Sequence, residues 1–408
     1  MKKTIDHLGK FKYLIIFALV YFFSPNGLSS LPNLSISYLL KDFFKLTATQ
    51  AAYFSAISIL GWAIKPLWGL ISDLFPIKGS RRRNYLILTS LIASFCWLIL
   101  TLTSNYNVWL LLLILTFSSF AYAFQDVVTD AYMVEIGKKE NKLKEFQSIQ
   151  WASVSIAQII TGFAGGVAAQ KLAYQTTFGI AFFFPFTVAL ITYFLLKYEP
   201  ETILKFQEFK KVFKLAILNK EFLLVTLFLF LWNFSPSYGT PFFYYMVDEL
   251  KFSKILIGTL GSVSAVGSTL GAMIFGIFLK KTNFKKLLIF SILIGGLGTF
   301  FSLIYLWDFV KNNQTLAIAL SIFDRIVFGA LGMIAFLTML TFAAQKTETL
   351  VAGSMFAFLT SIINLGSIGS SFLGGYLYSK IGLGPLIVVS GLTSLMILIF
   401  VPFLRIDK

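Results

Sequence analysis

Long apolar runs separated by short polar intervals recur along the whole chain. They predict twelve helices, at 13–39, 48–74, 84–104, 107–136, 146–170, 175–196, 221–246, 252–279, 284–307, 313–343, 347–379 and 383–404. A helix of about 20 residues crosses a hydrocarbon core of about 30 Å, and each run is long enough to do so. The longest polar interval, Tyr198 to Lys220, contains Glu199, Pro200, Glu201, Glu208 and five lysines. It divides the chain into six runs and six runs, giving 1–197, a linker at 198–220, and 221–408. The first run contains Pro25, Asn26, Gly27 and Pro32 and continues into Tyr38-Leu39-Leu40-Lys41-Asp42, with no small-residue cleavage site, so it is expected to remain in the mature protein.

Composition agrees with this pattern: 57% of the residues are hydrophobic and 13% charged, more apolar surface than a soluble globule of this length can hide. The reading is an all-α integral membrane protein. The net charge of +16 does not call for a nucleic acid, because the charge follows topology. Twenty-five of the 34 Lys and Arg fall on one set of tails and loops and seven on the other, with Lys65 and Arg325 inside spans. The positive-inside rule then places both termini in the cytoplasm. One cysteine, Cys96, lies in an apolar run and one histidine, His7, in the polar N-terminal tail. Disulfides, thiolate metal sites and a Ser-His-Asp triad lack the parts they need, so no cofactor, no metal and no enzymatic activity is expected.

The halves show weak internal similarity. At an offset of 207, Gly69 and Asp73 fall on Gly276 and Lys280, each before a basic loop, and Gly162-x-x-Gly165 recurs as Gly366-x-x-Gly369. Pro25 and Pro32 in the first span and Pro236 and Pro241 in the seventh predict interruptions at matching places. Two pseudo-symmetric six-helix bundles with both ends inside is the layout of major facilitator transporters, whose substrate site lies between the halves near the midplane.

Charges within the spans are the candidate chemistry, because a Lys at the centre of a membrane helix costs roughly 2.5–3.5 kcal/mol. Lys65 is nine residues from the inner end of the second span and Asp126 ten from that of the fourth. Equal depth makes them an expected ion pair. Asp130 follows Asp126 by one turn on the same face, and two carboxylates so placed suit a group that takes and releases a proton. Asp324 and Arg325 of the tenth span complete the set; as neighbours about 100° apart they are not expected to neutralise each other simply. Asp73, Arg81, Arg82, Arg83 and Glu135 lie at the inner face, where an acid and an arginine cluster predict a cytoplasmic gate. Trp62, Trp151, Trp232, Tyr238, Asn26, Gln158, Asn233 and Asn364 are candidate cavity lining for a flat heterocycle.

Four stretches carry a resemblance: Leu31-Pro32 through Lys41-Asp42; Lys65-Pro66 through Asp73, Pro76-Ile77, Gly79, Arg81-Arg82-Arg83 and Tyr85-Leu86; Asp126-Val127-Val128, Asp130-Ala131 and Glu135; and Asn364-Leu365-Gly366 preceded by Glu348. In these the chain is similar to the folate-biopterin transporter family of the major facilitator superfamily. The resemblance implies proton-linked uptake of a folate or pterin by a secondary active transporter, with Lys65, Asp126 and Asp130 in the cavity. The chain departs from the family at Asp324-Arg325 and at Gln345-Lys346-Thr347. An arginine there can hold the carboxylates of a folate tail or mark a different anion. The expected partners are this solute, protons and the lipid bilayer, with the chain a monomer in a bacterial plasma membrane or, alternatively, an organelle envelope. The competing readings are a carrier or exporter of another small anion or zwitterion and, from other classes, a receptor or an intramembrane enzyme.

Overall fold

The computed structural model describes residues 2–196, 210, 214, 218–279, 282–345 and 352–404. Nearly the whole linker, Lys280 of the 207-residue repeat and the Lys346, Thr347 and Glu348 positions lie outside the described residues. The chain forms helices α1 (Lys2–Phe22), α2 (Asn33–Tyr38), α3 (Ala48–Ser58), α4 (Lys65–Leu74), α5 (Arg83–Leu102), α6 (Val108–Glu140), α7 (Leu143–Lys171) and α8 (Tyr174–Leu195) before the linker. After it come α9 (Lys220–Asn233), α10 (Gly239–Asp248), α11 (Lys254–Ile277), α12 (Phe284–Phe301), α13 (Asp308–Lys311), α14 (Gln314–Gln345), α15 (Ala352–Ile381) and α16 (Leu383–Met396). Among the described residues, ten helical stretches are long and apolar enough to cross a membrane. At the first and seventh predicted runs the helix is interrupted instead.

Both interruptions have a chemical cause. Beyond Phe22 the chain turns through Pro25 and Gly27, where a Cβ would stand 2.2 Å from the Phe22 carbonyl oxygen, so only glycine fits. Between α9 and α10, Ser235-Pro236-Ser237 cannot continue a helix, because Pro236 has no N–H to donate. The freed polar groups are taken up by neighbours: Ser237 N donates to Ser370 O at 3.0 Å, Ser370 Oγ donates to Ser235 O, and Ser235 Oγ donates to Ser390 O at 2.8 Å. Pro241 lies in the first turn of α10, where its ring is tolerated and breaks nothing.

The apolar clusters fall on either side of the linker. Leu39, Phe54, Trp97, Leu100 and Phe178 pack in one; Phe222, Phe228, Leu288, Phe342 and Leu359 pack in another. Where the two parts of the chain meet, small residues dominate. Gly162 and Gly166 of α7 lie against Gly258 of α11, where an added Cβ would meet Gly162 O at 2.5 Å and Gly166 Cα at 2.6 Å. One turn on, Ser262 Oγ donates to Ile159 O at 2.6 Å and accepts from Phe163 N at 2.7 Å. This close approach is what small residues permit between helices in lipid.

The end of the molecule away from the basic 78–83 loop is clasped. Lys41 reaches Asp248 at 2.6 Å, and Lys254 reaches Asp42 at 3.2 Å. Lys41 Nζ also lies over the Tyr244 ring, and Lys254 Nζ over the Tyr38 ring at 4.2 Å. Tyr244 Oη donates to Leu46 O, and Thr49 Oγ1 donates to Gly375 O. Lys41 and Asp248 are 207 residues apart, the offset of the internal repeat, so the same position in each half carries opposite charges that meet.

Two outcomes follow from this packing. Gly258→Val is expected to part α7 from α11 and cost about 1–3 kcal/mol, read as a lower Tm in detergent, whereas Gly276→Ala, with nothing within 4 Å of its Cβ, leaves Tm unchanged. Lys41→Asp is expected to open the clasped end and the Lys41→Asp, Asp248→Lys swap to close it again. The check is maleimide labelling from that end at Ser37→Cys in a Cys96→Ser background; equal labelling of single and swapped variants counts against the clasp.

Candidate functional site

The Lys65-Pro66 pair explains the local structure of the second span. Pro66 has no N–H, so the carbonyl of Trp62, four residues earlier, loses its helical donor. The chain runs through a 3-10 turn at Leu60–Ile64 and restarts as α4 at Lys65. Asn364 Nδ2 of α15 donates to Trp62 O at 3.0 Å, and Trp68 Nε1 donates to Gly61 O at 3.0 Å. A break written by one proline therefore becomes a hydrogen bond between the two parts of the chain.

At this break Lys65 Nζ donates to Asp126 Oδ2 of α6 at 2.6 Å, and it stands over the Trp62 ring at 4.9 Å. Both charged side chains are nearly buried, at 13% and 11% exposure. Asp130, one turn along α6, accepts a 2.5 Å hydrogen bond from Tyr21 Oη of α1 and a side-chain bond from Gln150 of α7. Tyr21 Oη also faces Met133 Sδ at 3.9 Å. The structure thus brings Lys65, Asp126 and Asp130 together and adds Tyr21 and Gln150, which sequence reasoning missed. Tyr21 lies one residue before the end of α1 at Phe22, the only local signal that it had.

A second ionic cluster lies at the basic end. Arg82 Nη2 bridges Asp73 Oδ1 at 2.8 Å and Glu135 Oε1 at 2.7 Å, Nε reaches Glu135, and Nη1 donates to Ser72 Oγ at 3.0 Å. Arg81 stands 3.8 Å from both acids. Arg83 is placed elsewhere: its Nε donates to Leu196 O and its Nη2 to Tyr193 O, so it ties off the end of α8 rather than joining the carboxylates. These contacts link the 78–83 loop to α4, α6 and α8, all before the linker.

A cavity of about 400 Å³ opens between residues 30–37, α7 and α11. Ser30, Asn33, Ser37, Gln158, Thr161, Ser264 and Ser268 give it polar walls, and Gly162, Gly258 and Gly261 make room for it. Of the residues expected to line a cavity, Gln158 lines this one, its Nε2 donating to the Asn26 carbonyl. Trp151 packs edge-on against Phe336 of α14, Asn364 caps Trp62, and Asn233 Nδ2 donates to Leu229 O. Trp232 packs against Phe228, and Tyr238 Oη is paired with Ser302 Oγ, so these two serve the packing of the carboxyl half. Asp324 and Arg325 do approach each other, Nε to Oδ2 at 3.8 Å, too far for a hydrogen bond. Serines of α11 and of the first span were missed because single hydroxyls in apolar runs usually satisfy their own helix. Among the described residues there is no cluster of metal-ligating side chains.

The BT1 family profile matches residues 26–405. The chain belongs to the BT1 family. A folate-biopterin transporter from Synechocystis is 29% identical over 95% of this chain and 81% of its own length. Folate transporter 2 from Plasmodium falciparum is 30% identical over 93% and 85%. Among solved structures, a D-xylose-proton symporter superposes with a TM-score of 0.72 at 12% identity over 98% of each chain, and a POT family transporter with 0.75 at 11% over 96% of each. This BT1 chain therefore has the major facilitator fold and is a multi-pass membrane transporter, not an enzyme.

In the BT1 chain the Lys65–Asp126 pair is expected to behave as one unit. Lys65→Met or Asp126→Leu alone leaves a buried charge without its partner and is expected to cost about 3–5 kcal/mol. The double variant recovers most of it, so a double-mutant cycle on thermal stability in detergent reads a strong coupling. Additive losses count against the pair.

Proposed function

We propose that this transporter takes up a folate or related pterin together with protons by alternating access. In this reading twelve spans form two six-helix bundles, 1–197 and 221–408, joined by a cytoplasmic linker at 198–220. Both termini lie in the cytoplasm of a bacterial plasma membrane, and the chain works as a monomer. The relatives named as folate and folate-biopterin transporters support the substrate, and the separation of apolar clusters on either side of the linker supports the bundles.

The observation that carries the mechanism is the ion pair at the broken helix. Lys65 neutralises Asp126, while Asp130 has a phenol and an amide for partners. A carboxylate without its own cation is the one whose charge is least compensated in a low-dielectric site, so Asp130 is the proton carrier and Asp126 the fixed counter-charge. Protonating Asp130 makes it a donor in place of an acceptor and reorganises its bonds to Tyr21 and Gln150. Gln150 sits on α7, which borders the cavity through Gln158, Thr161 and Gly162, and Tyr21 sits at the end of α1, just before the turn that leads into the 30–37 wall. Proton occupancy and cavity shape are thereby linked. In this reading the clasp at Lys41–Asp248 and Lys254–Asp42 marks a state closed at the outer end. The Asp73–Arg82–Glu135 cluster then holds the inner ends of α4 and α6 together as a unit that moves, which is the part it plays in gating.

The test is uptake of labelled folate and a labelled pterin into proteoliposomes, with and without an inward proton gradient. Gradient-stimulated accumulation is expected in wild type. Asp130→Asn is expected to lose accumulation by at least about tenfold while still exchanging substrate across the membrane at equal concentration. Accumulation retained by Asp130→Asn defeats the coupling role, and transport of neither solute by the folded protein defeats the substrate.

A further inference from the structure

Arg325 is a second membrane-embedded cation, and its chemistry is unfinished. It lies eleven residues into α14, about 16 Å along the axis from Gln314, inside the span Gln314–Ala343. Its one ionic contact among the described residues is the 3.8 Å approach to Asp324, and no described residue accepts a hydrogen bond from its guanidinium. Its side chain is 35% exposed. An arginine with five N–H donors open inside a bilayer is kept only where water or a ligand reaches it.

Helix geometry fixes where it looks. Phe336 follows Arg325 by eleven residues, a rotation of about 1100°, within about 20° of three full turns. Both therefore leave the same face of α14. Phe336 meets Trp151 of α7, across the boundary between the two parts of the chain. Gly332, on that face between them, has nothing within 4 Å of its Cβ position, so the face borders open space. One turn from Arg325, Gly329 rests on Ser264, and Ser264 lines the cavity. The face that carries Arg325 is the one that meets the amino half at Trp151.

The cavity lining itself has no charged side chain. Its hydroxyls and amides can read the edges of a neutral heterocycle but cannot neutralise an acid. A planar guanidinium on α14, the helix that packs on the α11 wall, is the matching group for a carboxylate, which it holds through two parallel N–H···O bonds. We infer that Arg325 binds a carboxylate of the transported solute, so that the substrate is an organic anion, and that glutamate-conjugated pterins are preferred to tailless ones. The ring half of this assignment rests on the proposed pterin reading; the acid half rests on Arg325 alone.

The test uses three probes on the purified full chain, with tryptophan fluorescence reporting binding: folate, p-aminobenzoylglutamate as the tail without the ring, and 6-hydroxymethylpterin as the ring without the tail. Wild type is expected to bind folate at least about tenfold more tightly than the tailless pterin. Arg325→Gln weakens folate and the tail acid by about 10- to 100-fold and leaves the tailless pterin within about twofold. Arg325→Lys, which keeps the charge but loses the fork, falls between, and a Tm equal to wild type separates lost contact from lost fold. Equal weakening of folate and tailless pterin overturns the inference, as does folate binding no tighter than the tailless pterin, although the pterin reading then stands. Arg325-dependent binding of the tail acid without either pterin upholds the carboxylate and defeats the pterin. Binding of none of the three defeats both.

Discussion

A lysine buried in the plane of the membrane is the constraint around which this molecule is arranged. Lys65 cannot reach water from its depth, so a carboxylate must be brought to it, and Asp126 on α6 supplies one at 2.6 Å. That requirement fixes the approach of the second span to α6. Gly61 permits it, since a Cβ there would stand 2.7 Å from the Phe120 backbone nitrogen. Trp62 lies below the ammonium and fills the remaining side with a ring face. Once Lys65 and Asp126 are matched, Asp130 is left one turn away with neutral partners, and the site acquires a group whose charge can change.

Movement in such a protein needs contacts that are close yet few in kind. The α7–α11 seam of glycines and serines and the Asn364–Trp62 bond meet that need differently. At the glycines of the seam no side chain stands between the helices, and farther along Gln170 of α7 accepts a hydrogen bond from Ile255 N of α11. The Asn364 bond ends on a carbonyl that proline has released from its helix, so making or breaking it costs no helical hydrogen bond. The clasp adds charges at the end opposite the basic loops, where water lowers the cost of separating them.

Much of this was legible in the residues. Ten of the apolar runs are spans among the described residues, because backbone groups in lipid must satisfy one another within a helix. Equal depth predicted the Lys65–Asp126 contact because depth along a helix is a simple count at 1.5 Å per residue. What depth cannot give is azimuth. Tyr21 and Gln150 approach Asp130 from other helices, and Arg82 differs from Arg83 only in the direction it leaves the loop, so no count along the chain separates them. The clasp was legible in principle: the 207 offset that relates Gly69 to Gly276 also relates Lys41 to Asp248. Neither charge stands out along the chain, since each also reads as a topology signal.

The asymmetry of the two halves is the deeper point. In the amino half the intramembrane cation has a carboxylate at hydrogen-bond distance, and the pair is nearly buried with Trp62 against the ammonium. In the carboxyl half the intramembrane cation stands 3.8 Å from its neighbouring acid, without a hydrogen bond and with a third of its side chain exposed. Coulombic attraction at that separation, in reach of water, is weak beside the 2.6 Å buried pair. The two parts of the chain thus differ in how their intramembrane cation is satisfied. One cation is satisfied by the protein, through the Lys65–Asp126 pair beside Asp130. The other, Arg325, keeps its guanidinium N–H groups without an acceptor among the described residues.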